Sequence, residues 1–187
     1  MDARRHAEVL VPTIKIVLEE AKLKLALVTS IAVGVGPGAF TGLRVGLVTA
    51  HALGESLGIP VHGVMTLDTL AYATGLDHPF GVVTDARRSQ VFWARYMDAS
   101  TRAAGPFVGK PDEAAEQIEG LPVIGAGATA FAERFRDVRS PEFPSAGAMG
   151  QLTYRRVLAG VPLLAPSPIY LRPPDITASA GPKSVLA

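Results

Sequence analysis

The sequence predicts an α/β protein in which strands and helices alternate along the chain. Residues 31–35 form a β-prone run that leads into a glycine-rich loop, and a helical pattern follows over residues 41–57. The order of strand, glycine and helix returns at residues 123–127. Residues 80–84 and 90–97 are typical of two strands joined by a hairpin. A repeated unit of this kind is what we expect of a fold built from two similar lobes.

The first predicted element is a helix over residues 5–21. Pro12 lacks an amide proton and crowds the preceding turn, so we expect a kink or a restart of the helix there. His6 stands at the entrance of the helix, and no second histidine lies three or four positions away, which favours a structural histidine over a metal ligand. The apolar residues recur at spacings of three and four and form one stripe: Ala7, Leu10, Val11, Ile14, Val17, Leu18 and Ala21.

The most specialised backbone lies in residues 34–46, which contain five glycines and one proline. Glycine allows positive φ and close approach of the backbone, and proline fixes one φ. We expect Gly36, Pro37 and Gly38 to form a tight loop and Thr41 to cap the helix that follows. A helix N-terminus at such a loop can bind a phosphate or a carboxylate. The same glycines also fit a helix that packs tightly on a strand, and the pattern leaves both interpretations open.

The helix over residues 41–57 has two apolar stripes. A helix that is apolar on more than one side requires partners on more than one side. We expect one stripe to pack on the protein's own sheet and the smoother one to accept a second helix, from this chain or from another subunit. Together with the first helix, this smoother stripe would form an association surface. The first stripe is Leu43, Leu47, Ala50, Leu53 and Leu57, and the second is Gly42, Val45, Gly46, Thr49, Ala52 and Ser56.

Further elements are predicted from local patterns. Residues 61–64 are typical of a short buried strand, and Thr66 is placed to cap a helix that extends to residue 74. Asp68 has an expected structural role, because a helix dipole favours a carboxylate in the first turn. Trp93 is expected in the core. Three stretches complete the prediction: an acidic helical turn at 112–119, a loop at 140–148 and a helix at 149–159.

A boundary between two lobes is predicted at residues 75–79, where glycine, aspartate, histidine and proline occur together. We assign residues 1–78 to an N-terminal lobe with the two association helices, and residues 79–187 to a degenerate second lobe with an extended tail. Arg87 and Arg88 lie at the tip of the predicted hairpin, where they could contact an acidic partner or a nucleic-acid phosphate, or only solvent. We expect disorder after Asp175.

Composition excludes several classes of protein. Eighteen basic and seventeen acidic residues leave a net charge of +1, so the chain lacks the basic excess of a protein that holds nucleic acid alone. The absence of cysteine excludes disulfides, thiolate metal sites and a cysteine nucleophile. No apolar run reaches the length of a membrane span, and no H-E-x-x-H or H-x-x-x-H pair occurs. We expect a soluble cytoplasmic protein without its own metal site or catalytic residues.

One segment carries a family resemblance. Residues 36–46, G-P-G-A-F-T-G-L-R-V-G, closely resemble the G-P-G-S-F-T-G-L-R-x-G signature of the bacterial TsaB (YeaZ) family, with Ala39 in place of the usual serine. The resemblance extends over nearly the whole chain. The other segments that carry it are the first-helix pattern at 6–12, G-I-P-V at 58–61, T-L-D at 66–68, D-A-R-R at 85–88 and P-I-Y-L-R at 168–172.

The resemblance implies a two-lobe fold of the actin and sugar-kinase-like superfamily, which is related to ribonuclease H. Family members begin with one more strand hairpin, which carries an aspartate, and this sequence starts after it. We therefore expect an N-terminally truncated first lobe without the aspartate that holds a metal in ATP-hydrolysing relatives. A true short form, a misplaced start codon and a trimmed chain are all compatible with the sequence.

The resemblance also implies a non-catalytic scaffold subunit in the synthesis of N6-threonylcarbamoyladenosine, beside the anticodon of tRNA. The expected partners are the catalytic subunit TsaD and the ATPase TsaE, with tRNA bound only by the complex. TsaD binds its metal with an H-x-x-x-H pair, whereas this chain has Leu10 and Val11 in that region. ATP and metal are thus expected in the partner subunits, and no cofactor is expected here.

By the same resemblance, the first two helices pair with TsaD and form a homodimer through the same face when the chain is alone. The alternative is a nucleotide-binding ATPase of the sugar-kinase type that uses residues 36–42 as a phosphate loop. The residues expected at the partner interface are His6, Leu10, Ile14, Gly42, Arg44, Val45, Val48, Thr49 and Ala52.

Overall fold

The computed structural model describes residues 6–172, with side chains from residue 8 onward. The helices are α1 (His6–Glu20), α2 (Phe40–Leu57), α3 (Thr66–Thr74), α4 (Pro111–Gln117), α5 (Ala126–Ala130) and α6 (Ala146–Leu158). The strands are β1 (Ile31–Gly36), β2 (Val61–Met65), β3 (Phe80–Asp85), β4 (Val91–Tyr96), β5 (Arg102–Gly109), β6 (Val123–Ile124) and β7 (Val138–Arg139). Short 3₁₀ turns lie at Leu25–Leu27 and Ala132–Arg134. The predicted alternation of strands and helices is confirmed.

The strands form two sheets. β1 and β2 make a parallel pair, in which Ile31 lies opposite Val61. The other sheet has the strand order β5-β4-β3-β6-β7, with β3 antiparallel to β4 and parallel to β6. The predicted hairpin is confirmed, since Val83 of β3 lies opposite Trp93 of β4. The second unit of strand, glycine and helix is also present, because β6 leads through Gly125 into α5.

The apolar core continues from the first sheet into the second. Trp93 lies in it and is only 5% exposed, as predicted. One buried cluster joins β2 and α3 to β3, β4 and β6: Met65, Leu67, Leu70, Ala71, Phe80, Val82, Ala94, Tyr96 and Ile124. A smaller cluster lies between α2 and β1 and contains Val33, Val35, Leu47 and Ala50. The leucine stripe of α2 therefore packs on the sheet, as expected.

Two predicted helix caps are wrong. α2 begins one residue before Thr41, and its N-cap is Ala39, which has an extended backbone and makes no side-chain hydrogen bond. Likewise, α3 begins at Thr66 itself, so Met65 is the N-cap. Both threonines lie in the first turn, where their side chains cannot act as caps. A side-chain cap is present at α6, where the amide of Ala148 donates to the Ser145 hydroxyl at 3.0 Å.

The predicted restart of the first helix at Pro12 is also wrong, because α1 passes through this residue as one helix. Pro12 is exposed, so water can solvate the carbonyl group that loses its amide partner. The expectation of disorder after Asp175 concerns residues outside the described part of the chain. Within residues 6–172, no helix is long and apolar enough to cross a membrane.

Candidate functional site

The expected association surface lies on two helices that pack against each other, α1 and α2. Val48 is 68% exposed at its centre. Of the other expected residues, Arg44 and Ala52 are exposed, and Leu10, Ile14, Gly42, Val45 and Thr49 are half-buried. The side chain of His6 lies outside the described part. The structure thus brings the expected residues of both helices into one region of the surface.

The packed side of α1 is narrower than predicted. Its half-buried apolar side chains are Leu10, Ile14 and Leu18, spaced four residues apart. Val11 and Val17 belong to the apolar stripe that the spacing predicts but are 45% and 55% exposed. Residues four positions apart lie along one line on a helix surface. Only this line of α1 packs toward α2, so the neighbouring valines remain in solvent. Val9 and Ile16 add to the exposed apolar surface of this helix.

Arg44 is held in place by an aromatic pair that the sequence did not reveal. Its guanidinium lies 3.9 Å from the centre of the Phe40 ring, and its Nε donates to the Tyr170 hydroxyl at 3.1 Å. The rings of Phe40 and Tyr170 are 5.3 Å apart. Phe40 lies in residues 36–46 and Tyr170 in residues 168–172, which are two of the segments that carry the family resemblance. That resemblance is the sequence signal that could have identified both aromatic residues. Because the arginine is stacked and hydrogen-bonded, its charge has a fixed position at the rim of the surface.

A segment near the end of the described chain fastens the first sheet to α2. We call residues 163–172 the C-terminal strap. The amide of Gly63 in β2 donates to the carbonyl of Leu164 at 2.9 Å, and the amide of Ile169 donates to Val35 of β1 at 2.7 Å. His51 of α2 lies 2.8 Å from the carbonyl oxygen of Pro166, measured from Nε2. The strap therefore covers the outer edge of β2 and the end of β1.

The glycine loop has the tight geometry that its composition predicts. Gly36 has a φ of 104° and is followed by a cis peptide bond to Pro37, which is buried. A Cβ atom on Gly36 would lie 2.9 Å from the carbonyl oxygen of Ile169, so only glycine fits there. Gly38, in contrast, is exposed and has open space around it. The loop therefore packs closely at Gly36 and is exposed to solvent at Gly38, just before α2.

A cavity of about 420 Å³ lies between the glycine loop, the hairpin turn and the strap. Gly38, Ala39 and Phe40 line one side, and Arg87 and Arg88 line another. The sequence indicated the glycine loop and the hairpin arginines as two separate candidate sites, and the structure places both around one cavity. Asp85, Ala86, Phe92, Tyr170, Leu171 and Arg172 complete the lining. Arginines and aromatic rings together suit an anionic ligand with a flat ring.

The hairpin turn at this cavity has an unusual backbone. Arg87, Arg88 and Ser89 all have positive φ, at 63°, 52° and 54°. Non-glycine residues in this region cost roughly 1–2 kcal/mol each. Asp85 offsets part of that cost, since its carboxylate accepts the amide of Arg87 at 2.7 Å and lies 3.6 Å from the guanidinium. Arg172 of the strap also reaches this region and donates to the side chain of Gln90.

A buried charge network ties α3 to the second sheet and to α6. Asp68 is 6% exposed, and its carboxylate accepts the Tyr96 hydroxyl at 2.8 Å. Arg156 of α6 donates to the other carboxylate oxygen at 3.1 Å, and Arg102 of β5 lies 3.1 Å from the first. Burial, and then the negative charge of Asp68, raise the pKa of Tyr96 well above its usual range. The expected structural role of Asp68 is consistent with these contacts.

One sequence pattern suggests a catalytic serine, but its place in the structure does not have the required geometry. Residues 54–58 read G-E-S-L-G, a pattern found in serine hydrolases. Ser56 lies near the C-terminal end of α2, however, and not at the turn from a strand into a helix that the pattern requires. In the described part of the chain, no group of three or more histidine, aspartate or glutamate residues could hold a metal ion.

Comparison with known families and curated proteins gives consistent matches. Residues 1–154 match the sequence model of the family described as TsaD, tRNA N6-adenosine threonylcarbamoyltransferase. An uncharacterized protein of Mycobacterium leprae is 41% identical over 176 residues, which are 94% of this chain and 46% of that protein. The chain therefore spans less than half the length of this relative.

Two further matches carry more specific names. The tRNA threonylcarbamoyladenosine biosynthesis protein TsaB of Escherichia coli is 33% identical over 98 residues, which are 50% of this chain and 42% of that protein. The structure of YeaZ from Pseudomonas aeruginosa superimposes with a TM-score of 0.76 at 28% identity, covering 89% of this chain and 85% of that chain. This likeness confirms the predicted actin and sugar-kinase-like fold.

Proposed function

Because the chain belongs to the TsaD family, on its TsaB (YeaZ) branch, we propose that it is a non-catalytic scaffold subunit in threonylcarbamoyladenosine synthesis. Its partner in this proposal is a TsaD-like catalytic subunit, and a TsaE-like ATPase completes the assembly. The metal and ATP are held by those partners, and tRNA is bound only by the complex. The proposal concerns the whole protein, and the matched relatives are longer than this chain.

The observation that carries the proposal is the apolar surface on two adjacent helices. Val48 of α2 is 68% exposed, and Val11, Ile16 and Val17 of α1 are each about half exposed. Large apolar surfaces of this kind usually mark a site of association. Small residues around Val48, among them Thr49 and Ala52, allow the backbone of a partner helix to come close. Helix pairing is therefore the interaction that this surface fits best.

Arg44 gives the surface a polar rim. Its stacking on Phe40 and its bond to Tyr170 fix the guanidinium before any partner arrives. A fixed arginine loses little conformational entropy on binding and can pair with a carboxylate in a defined geometry. We expect the partner to present an acidic residue at this position.

The test is to mix the chain with the TsaD of the same organism and to measure the mass of the complex by light scattering on a sizing column. We expect a one-to-one complex with the unmodified chain. Val48→Glu should weaken pairing by at least about tenfold, because a carboxylate would be buried against apolar side chains. Thr49→Arg should have a similar effect through steric overlap.

A matched control separates pairing from folding. Phe143 is 69% exposed in the loop before α6, far from α2 in sequence, and Phe143→Glu makes a comparable change of charge and polarity. This variant should bind TsaD as the unmodified chain does. Equal binding by Val48→Glu and Phe143→Glu would contradict the assignment of the α1–α2 surface.

The cavity supports a second candidate function, a nucleotide-binding ATPase of the sugar-kinase type. The glycine loop and Arg87 line the same space of about 420 Å³. Titration with Mg-ATP in a calorimeter tests this alternative. Gly38→Asp places a carboxylate at an open position of the loop and should abolish any ATP binding by charge repulsion. An absence of heat with the unmodified chain would exclude this function and leave the scaffold proposal intact.

A further inference from the structure

The exposed face of α2 carries one charge toward each end. Four exposed residues lie on one line along the helix, because their spacing is four, three and four residues: Arg44, Val48, His51 and Glu55. Arg44 belongs to the second turn and Glu55 to the last turn. A rise of about 1.5 Å per residue separates these two positions by roughly 16 Å along the axis. The line is therefore positive near the start of α2 and negative near its end.

These two charges do not stabilise α2 itself. The dipole of a helix favours anions at its N-terminal end and cations at its C-terminal end. Arg44 and Glu55 each have the opposite sign for their position. On α2, Arg44 has no acidic residue three or four positions away, and Glu55 has no lysine or arginine there. The reason for their placement therefore lies outside α2.

Arg44 is prepared for one kind of contact. The Tyr170 hydroxyl accepts from its Nε, and the Phe40 ring covers one face of the guanidinium. Neither the strap nor α2 uses the edge formed by Nη1 and Nη2. That edge carries two parallel N–H groups, which match the two oxygen atoms of a carboxylate. A carboxylate from a partner therefore binds at the end of the Arg44 side chain.

We propose that Arg44 and Glu55 set the direction in which a partner helix packs on α2. This inference rests on the proposed pairing with a TsaD-like subunit and specifies it. The partner helix runs antiparallel to α2, with an acidic residue at Arg44 and a basic residue at Glu55. An antiparallel helix brings its negative C-terminal end toward Arg44 and its positive N-terminal end toward Glu55. Its dipole and its side chains thus compensate both charges of α2.

A parallel helix fits the same line poorly. Its positive N-terminal end would lie near Arg44 and its negative C-terminal end near Glu55, so like charges would meet at both ends. One charge alone would distinguish the two directions less well than two charges of opposite sign. Between them, Val48 is 68% exposed and supplies apolar contact in either direction. The apolar part of the line therefore contributes affinity, and the charged ends contribute direction.

The test measures the affinity for the TsaD of the same organism by calorimetry at low salt. Arg44→Glu and Glu55→Arg should each weaken pairing by about tenfold, because each places a like charge against the partner. Glu116→Arg is the matched control, since Glu116 is also an exposed glutamate in the last turn of a helix, α4. This control should bind as the unmodified chain does. The losses should shrink at high salt.

A melting temperature separates pairing from folding. Glu55→Arg replaces an anion near the C-terminal end of α2 with a cation, which the helix dipole favours. The melting temperature of this variant alone should therefore equal or exceed that of the unmodified chain, while its affinity for TsaD falls. A purely structural role of Glu55 would lower both quantities.

Cross-linking tests the direction itself. The chain contains no cysteine, so Thr41→Cys and Ser56→Cys each carry a single photoreactive label at an exposed position near one end of α2. In an antiparallel pair, the label at position 41 reacts with a later residue of the partner helix than the label at position 56 does. Mass spectrometry of the cross-linked peptides gives this order.

The outcomes distinguish this inference from the pairing on which it rests. Cross-links in the parallel order would overturn the inference and leave the pairing in place. The same holds if Arg44→Glu and Glu55→Arg both bind TsaD as tightly as the unmodified chain. If the unmodified chain forms no complex with TsaD, the proposed scaffold function and the inference are both wrong.

Discussion

Asp68 is a buried carboxylate with three side-chain partners. It is buried, yet it is hydrogen-bonded to Tyr96 and paired with Arg102 and Arg156. These three partners come from three different elements, β4, β5 and α6. A buried carboxylate is tolerated only when its charge is compensated in this way. The network therefore depends on all of its members at once.

We predict that Asp68→Asn lowers the free energy of unfolding by about 2–4 kcal/mol, because it leaves two partly buried arginines without a counter-charge. Urea denaturation at neutral pH measures this change. Asp77→Asn, at an exposed position close in sequence, is the control and should change stability by less than about 0.5 kcal/mol. Equal behaviour of the two variants would mean that the network does not stabilise the fold.

Tyr96 makes stability depend on alkaline pH. The folded protein raises the pKa of its hydroxyl, first through burial and then through the charge of Asp68. The folded state thus holds this proton more tightly than the unfolded chain does. Stability from this group is complete below about pH 10, the ordinary tyrosine pKa, and falls above it by up to about 1.4 kcal/mol per pH unit. Tyr96→Phe should remove this decline in urea denaturation, whereas Tyr154→Phe, at an exposed position, should retain it.

Contacts between residues that are far apart in the chain do not follow from local sequence patterns. The first-turn position of Asp68 indicates a structural role from local information alone. Its partners are distant, with Arg156 88 positions away. The bond between Arg44 and Tyr170 spans 126 positions. Only the fold brings such pairs together, so local patterns identify one member of each pair and not the other.

At the scale of elements, the strap depends on a glycine. A Cβ on Gly63 of β2 would lie 2.4 Å from the carbonyl oxygen of Ala165 and 2.7 Å from a methyl group of Val35. Real side chains do not approach backbone oxygen atoms this closely. The strap can therefore lie along β2 only where that strand has no side chain.

We predict that Gly63→Ala destabilises the protein by about 2 kcal/mol or more, since it forces the strap away from β2. Gly150→Ala is the matched control. Gly150 lies inside α6 with open space around it, so alanine should stabilise the protein by about 0.5–1 kcal/mol through helix propensity. Thermal unfolding of both variants should give shifts of opposite sign. Two shifts of the same sign would contradict this account of the strap.

Elements were predicted better than their ends. The order of strands and helices follows from apolar periodicity, which depends on many residues at once. A helix start depends on one residue's backbone conformation. Ala39 takes the extended conformation at the N-cap of α2 without any side-chain bond, because the packed glycine loop fixes the chain there. Thr41 has the better capping side chain, but it lies two residues after the N-cap position and cannot use it.

At the scale of the whole molecule, the two sheets share one core. The cluster that contains Met65 of β2 also contains Phe80 of β3 and Ile124 of β6. The predicted boundary at residues 75–79 lies in the connection between α3 and β3, and the core continues across it. The two lobes proposed from sequence therefore have a common interior rather than separate ones.

We predict a single cooperative unfolding transition. Trp93, the only tryptophan, lies in the second sheet, so its fluorescence reports that sheet, while far-ultraviolet circular dichroism reports the helices and strands of both. The two signals should change at the same urea concentration. Loss of ellipticity before loss of the native tryptophan signal would show that the first sheet unfolds alone.

The strap has a consequence for how the protein is made. Leu164 and Ile169, which complete the first sheet, are synthesised about 100 residues after β2. At typical rates of about 5–20 residues per second, that delay lasts roughly 5–20 s. During this time the outer edge of β2 has no partner from its own chain. Completion of the first sheet therefore follows the synthesis of the whole second sheet, although β1 and β2 are translated before it.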